Sequence, residues 1–161
     1  LNNMAQQLMR MGRYEEAESL HRQAIEVKER GLGTDHITTA LSYNAMGKTY
    51  IRLNRLDEAE MYLQKALAIR EASPRPQDEI DAAVTRENMA VVYEMRGDLP
   101  RARQIRRVGS PNNMLCANEK CELFQIKRSI LLQCGGCKSI YYCGQDCQKR
   151  DWKRHKKYCK K

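Results

Sequence analysis

All seven cysteines of this chain of 161 residues lie between residues 116 and 159, and one histidine lies among them. In a reducing compartment, thiols crowded at such short spacing point to a metal rather than to disulfides. Structural zinc takes four Cys or His ligands in a tetrahedron. Cys116, Cys121, Cys134, Cys137, Cys143, Cys147, His155 and Cys159 therefore make two complete sites with no ligand left over. In Cys134-Gly-Gly-Cys137 the two glycines permit a tight knuckle that brings both sulfurs to one ion. Cys143 and Cys147 are four residues apart, as are His155 and Cys159, so each pair shares a helix face. Sites closed by four protein ligands leave no place for a water, which predicts structural zinc. Metal binding then supplies most of the folding energy of a segment too small for its own core. Spacing leaves the partition open: the ligands divide either consecutively, four and four, or in an interleaved order.

The charge follows the same division. Residues 1–110 carry 17 Lys/Arg against 16 Asp/Glu, whereas residues 111–161 carry 12 against 4, a net of +8. Two zinc ions add four positive charges and seven thiolates remove seven, which brings that half to +5. The composition changes near Gly109-Ser110-Pro111, where a helical pattern stops.

Upstream of that break the chain repeats itself. MAQQLMRMGRYEEAESLHRQA from Met4, MGKTYIRLNRLDEAEMYLQKA from Met46 and MAVVYEMRGDLPRARQIRRVG from Met89 align at spacings of 42 and 43. Ala17, Ala59 and Ala102 recur, as do Ala5, Gly47 and Ala90 and the turn residues Gly12, Asn54 and Gly97. Each unit reads as two amphipathic helices joined by a tight turn, with a small residue where the helices cross. This pattern resembles the tetratricopeptide repeat, with Leu8, Tyr50 and Tyr93 in the place of its large residue. The long period, LNN and YEEAE resemble the kinesin light chain variant. Arg106 and Gly109 depart from the pattern, standing where a bulky and a small residue normally pack, and the last helix is expected to end at Gly109. Ser73-Pro74-Arg75-Pro76 reads as an inter-repeat loop, since two prolines in three residues exclude helix. The resemblance implies a concave surface that binds extended peptides. Asn2, Gln6, Asn44, Lys48, Arg52 and Glu87 would face that groove.

The string from Cys134 to Cys159, with Tyr142-Cys143 and Cys147-Gln148-Lys149-Arg150-Asp151-Trp152-Lys153-Arg154-His155, is similar to the MYND zinc finger. The first pair, Cys116 and Cys121, is separated by four residues where two are commoner. The resemblance implies a cross-brace: Cys116, Cys121, Cys143 and Cys147 on one zinc, Cys134, Cys137, His155 and Cys159 on the other. It also implies binding of proline-rich peptides by Ser139, Ile140 and Tyr141 of a strand and by Gln148 and Trp152. Packing alone is the competing role for Trp152.

The expected architecture is mainly α: repeats over 1–109 (1–40, 41–83 and 84–109), a linker over 110–115, and a finger with short strands and helices over 116–159. The expected function is a zinc-binding protein-interaction adaptor, in transcriptional or signalling assemblies. No stretch of about 18 apolar residues is present, which argues against a membrane span, and no signal peptide opens the chain. The expected location is intracellular, in cytoplasm or nucleus. A first residue of Leu and a first repeat entered partway suggest a piece of something longer. The competing readings are a nucleic-acid-associated regulator and a non-catalytic fragment of a SET/MYND-type methyltransferase. Basic residues from Lys149 to Lys157 suit loose phosphate contacts, without a base-reading motif. With every cysteine assigned to metal no nucleophile remains, and His21 and His36 read as structural, so no catalysis is expected.

Overall fold

The computed structural model describes residues 1–73, 75–108, 114–121 and 130–159. Six helices come first: α1 (Asn2–Arg10), α2 (Tyr14–Leu32), α3 (Ile37–Arg52), α4 (Leu56–Glu71), α5 (Pro76–Met95) and α6 (Leu99–Arg107). A two-stranded hairpin follows, β1 (Leu132–Gln133) and β2 (Tyr141–Tyr142), and then α7 (Gln145–His155). The strands are antiparallel, with Leu132 opposite Tyr142 and Gln133 opposite Tyr141.

The chain forms two compact units, Leu1–Asp78 and Glu79–Lys161, whose boundary falls inside α5. The second unit therefore holds α6 and most of α5 together with the cysteine-rich segment.

Three helical hairpins close through one kind of turn. The second residue after each first helix has left-handed backbone: Gly12 (φ +78), Asn54 (φ +58) and Gly97 (φ +82). Only Gly, or Asn at small cost, adopts that region readily. Each turn makes the paired bonds of a Schellman motif. Arg13, Arg55 and Asp98 N–H donate to the carbonyls of Leu8, Tyr50 and Tyr93, and Gly12, Asn54 and Gly97 N–H donate to those of Met9, Ile51 and Glu94.

Small residues sit where the helices meet. Ala5, Ala17, Ala59, Ala66, Ala90 and Ala102 are fully buried. At Gly47 a Cβ would stand 2.6 Å from Leu63 Cγ, closer than non-bonded carbons approach, so the packing of α3 on α4 favours a glycine there. The second hairpin adds a tyrosine stack, with the Tyr50 and Tyr62 rings 5.6 Å apart.

One expectation changes. Pro76 is the first residue of α5 rather than part of the loop. A helix's first residue needs no N–H partner, and proline's fixed φ suits it. His36 caps α3, its ring accepting from Thr38 N–H. The other histidine of the first unit, His21, is buried on α2 as a packing residue. Pro74, Gly109 and residues 110–113 of the expected linker lie outside the described residues.

Candidate metal centres

The segment that holds Cys116 and Cys121, the β1–β2 hairpin, and α7 with the turn after it bring eight side chains into two groups. Cys116, Cys121, Cys143 and Cys147 form one, Cys134, Cys137, His155 and Cys159 the other, and within each group every ligand atom lies within 4.8 Å of the rest. The order along the chain is interleaved.

In the first group Cys143 Sγ is 3.6 Å from Cys121 Sγ and 3.4 Å from Cys147 Sγ. In the second, Cys134 Sγ is 3.8 Å from Cys159 Sγ, and His155 Nε2 is 3.3 Å from Cys134 Sγ and 3.5 Å from Cys137 Sγ. Sulfurs about 2.3 Å from a tetrahedral zinc stand roughly 3.8 Å from one another, and a sulfur and an imidazole nitrogen about 3.5 Å apart. A disulfide would need about 2.05 Å. The donor set and its spacing fit zinc.

Local backbone sets these positions. In the knuckle, Lys138 N–H donates to Cys134 carbonyl, and Cys134 N–H to Ile140 carbonyl. The left-handed residue there is Lys138 (φ +54), and Gly135 has open space where a Cβ would go. Neither left-handed backbone nor crowding requires a glycine at 135. Around the first group, Cys143 N–H points to Cys116 Sγ at 3.5 Å and Asn118 Nδ2 to Cys147 Sγ at 3.3 Å. Such donors favour the thiolate that a metal needs.

Without a cation the thiols oppose one another. Burial and the neighbouring Cys147 and Cys121 push Cys143 up to about 11. Burial also opposes ionisation of Cys134, but backbone N–H groups of Cys137 and Gly136 and the His155 ring bring it down to about 7. A divalent ion resolves that conflict by replacing the protons.

Behind the second group lies a buried ionic network. Glu94 Oε1 is 2.9 Å from His155 Nδ1, and neither side chain is exposed. Glu94 Oε2 accepts from Arg106 and Arg154, each at 3.2 Å. Arg106 also donates to Glu87 through two bonds of 2.9 and 2.8 Å and to Ser139 carbonyl at 3.0 Å. Arg154 forks onto Asp151, which accepts from Tyr142 hydroxyl at 2.8 Å. Glu94, Arg106, Asp151 and Arg154 were not among the expected site residues. The one signal was Arg106, a guanidinium where the repeat packs a bulky side chain.

The expected peptide-contacting residues divide. Ser139, Ile140 and Tyr141 are buried, and their carbonyls already accept from Arg106, Cys134 N–H and Ala117 N–H. Trp152 is 46% exposed, its ring edge-on to His155 with centroids 5.8 Å apart. With Gln145, Gln148 and Lys149 it lines a shallow depression of about 330 Å³. In the repeats, Asn2 Nδ2 donates to Ser42 Oγ at 3.1 Å, tying α1 to α3. Gln6 and Arg52 are exposed, and Asn44 and Lys48 half-buried. Asn44, Lys48 and Arg52 follow one another at four-residue spacing along one side of α3. Glu87 is engaged by Arg106.

The chain combines a tetratricopeptide repeat array with a MYND zinc finger: residues 1–72 and 83–107 match the tetratricopeptide repeat, and residues 116–159 match the MYND finger. Its two Cys/His tetrads are consistent with the two zinc ions of such a finger. Among curated proteins it is similar to N-lysine methyltransferase SMYD2 of Sus scrofa, 41% identical over 49 residues, covering 29% of this chain and 11% of that protein. It is similar also to Egl nine homolog 1 of Mus musculus, 44% identical over 55 residues, covering 32% of this chain and 13% of that protein. The chain thus spans about a tenth of the length of these relatives. Among solved structures it resembles BtubC (BKLC) from P. vanneervenii, a kinesin light chain-like repeat protein, with TM-score 0.58 and 30% identity over 66% of this chain and 45% of that one. Both modules are protein-interaction modules. Among the described residues no helix is long and apolar enough to cross a membrane.

Proposed function

We propose that this chain is a zinc-dependent adaptor that holds partner proteins by two separate peptide-binding surfaces. In this reading Cys116, Cys121, Cys143 and Cys147 bind one structural zinc and Cys134, Cys137, His155 and Cys159 the other. The repeats over 1–109 and the finger over 116–159 act as the two modules, and neither performs catalysis. Thiolate ligands of this kind keep their metal in a reducing compartment, in cytoplasm or nucleus.

The exposure of Trp152 carries the reading. A tryptophan needed only to close the finger would be buried, whereas this one stands 46% exposed beside Gln148 over a shallow depression. An aromatic plane beside an amide suits a proline-rich peptide, which brings little conformational entropy to lose. Side chains at Ser139, Ile140 and Tyr141 are buried and their carbonyls already engaged, so in this reading Gln148 and Trp152 make the main contacts. In the repeats, Gln6, Asn44, Lys48 and Arg52 would offer polar contacts to an extended segment, and Asn2 and Glu87 chiefly hold the helices. Two weak sites on one chain gain avidity toward one assembly.

Trp152 is the only tryptophan, so its fluorescence tests the reading directly. Titrating the zinc-loaded chain with a Pro-x-Leu-x-Pro peptide should give a saturable shift that Gln148→Ala abolishes. A flat titration sinks the finger as a peptide reader and leaves the repeats as the sole candidate surface.

A further inference from the structure

The imidazole of His155 is held from both sides. Nε2 faces Cys134 and Cys137 sulfurs at 3.3 and 3.5 Å, while Nδ1 meets Glu94 Oε1 at 2.9 Å. Glu94 is not part of the finger. It lies 61 residues upstream, on α5 of the third repeat hairpin. Its other oxygen is fixed by Arg106 and Arg154, which leaves Oε1 for the ring. Both Glu94 and His155 are fully buried.

We propose that Glu94 is a positioning residue for the second zinc site. It accepts the Nδ1 proton of His155, selects the tautomer whose Nε2 is free for the metal, and fixes the ring in the tetrad. This rests on the reading of that tetrad as a zinc site. Partners of this kind orient a ligating imidazole and raise its basicity. The arginines keep the carboxylate charged and aimed, and Arg106 belongs to the repeat hairpin as well. The outer donors to the first tetrad, Asn118 and Cys143 N–H, both come from the finger itself. The two sites therefore differ in one respect: the second takes a carboxylate supplied by a repeat hairpin.

The experiment is zinc transfer from the full chain to a chromogenic chelator, in the unaltered protein, Glu94→Gln, His155→Cys and the double variant. The unaltered chain should yield two zinc ions per chain. Glu94→Gln should weaken one of them by about 10- to 100-fold, the usual cost of losing such a partner, and leave the other unchanged. In the His155→Cys background, where no imidazole remains, adding Glu94→Gln should change the second site little. A loss that persists there in full makes Glu94 an ion-pair residue only and overturns the proposal, as does a Glu94→Gln chain that holds both ions normally. Fewer than two zinc ions in the unaltered protein overturns the zinc reading itself. Should Glu94→Gln fail to fold, nitrogen NMR of the zinc-loaded unaltered chain decides. A protonated Nδ1 in slow exchange with a metal-bound Nε2 supports the proposal; the opposite tautomer refutes it.

Discussion

Replacing Arg106 by methionine tests whether the buried charges hold the second unit together. The variant keeps much of the side chain's stem and volume but removes four hydrogen bonds: two to Glu87, one to Glu94 and one to Ser139 carbonyl. Breaking a buried pair by removing one partner costs about 3–5 kcal/mol, because the remaining charge stays behind unpaired. Here Glu94 keeps Arg154 and His155, so the cost falls mainly on Glu87 and on the Ser139 carbonyl. That argues for the lower end, about 3 kcal/mol. Trp152, the only tryptophan, lies in the same compact unit, so its fluorescence in urea follows this unit's unfolding at fixed free zinc. With a slope of about 1–3 kcal/mol per molar urea, the midpoint should fall by roughly 1–3 M. Arg106→Met with Glu87→Met should recover much of the loss, since an apolar pair leaves no orphaned charge. A single-variant midpoint within about 0.3 M of the unaltered chain, or a double variant worse than the sum of the singles, would refute the reasoning.

Two further outcomes concern the first unit. Burial, helped by the charge of Lys28, lowers His21 from its ordinary 6.5 to about 4, and its Nδ1 has no hydrogen-bond partner. The fold therefore favours the neutral ring: the stabilisation is complete above pH 6.5, erodes as pH falls, and is gone below about 4. By pH 5 this costs roughly 2 kcal/mol of about 3 in all, and His21→Phe should flatten that part of the stability profile followed by far-ultraviolet circular dichroism. Gly47→Ala should destabilise by about 1 kcal/mol, the clash with Leu63 exceeding the gain in helix propensity. Gly31→Ala on α2, with open space around it, should stabilise by about 0.5–1 kcal/mol, and thermal melts that rank the two the other way contradict the packing described here.

The parts of this molecule that could be read from its sequence are those with local causes. A left-handed helix end demands Gly or Asn, so Gly12, Asn54 and Gly97 announce the hairpin turns. A close crossing demands a missing side chain, so Ala5, Ala17, Gly47 and Ala59 announce which helix faces meet. Zinc demands thiols at short spacing, so the cysteines announce a metal-dependent segment. The ionic network has no such signature. Glu94 and His155 are 61 residues apart, Arg106 and Ser139 are 33 apart, and no spacing rule links them. The inward set of Ser139, Ile140 and Tyr141 was equally hidden, because two-residue strands are too short for alternation to show a buried face.

Arg106 shows how one requirement propagates into another. A histidine that gives Nε2 to a metal keeps a proton on Nδ1, and at a buried position that proton needs an acceptor. An apolar repeat hairpin has none to offer, so α5 carries Glu94. A carboxylate without exposure is tolerable only if cations answer it, and Arg154 from α7 answers one oxygen. Arg106 answers the same oxygen from α6, and can do so only from the position where a repeat would otherwise place a bulky apolar side chain. Glu87 then becomes the partner of Arg106 rather than a free groove residue. The departure from the repeat pattern at 106 is thus what a hairpin needs to serve the imidazole of a neighbouring metal site.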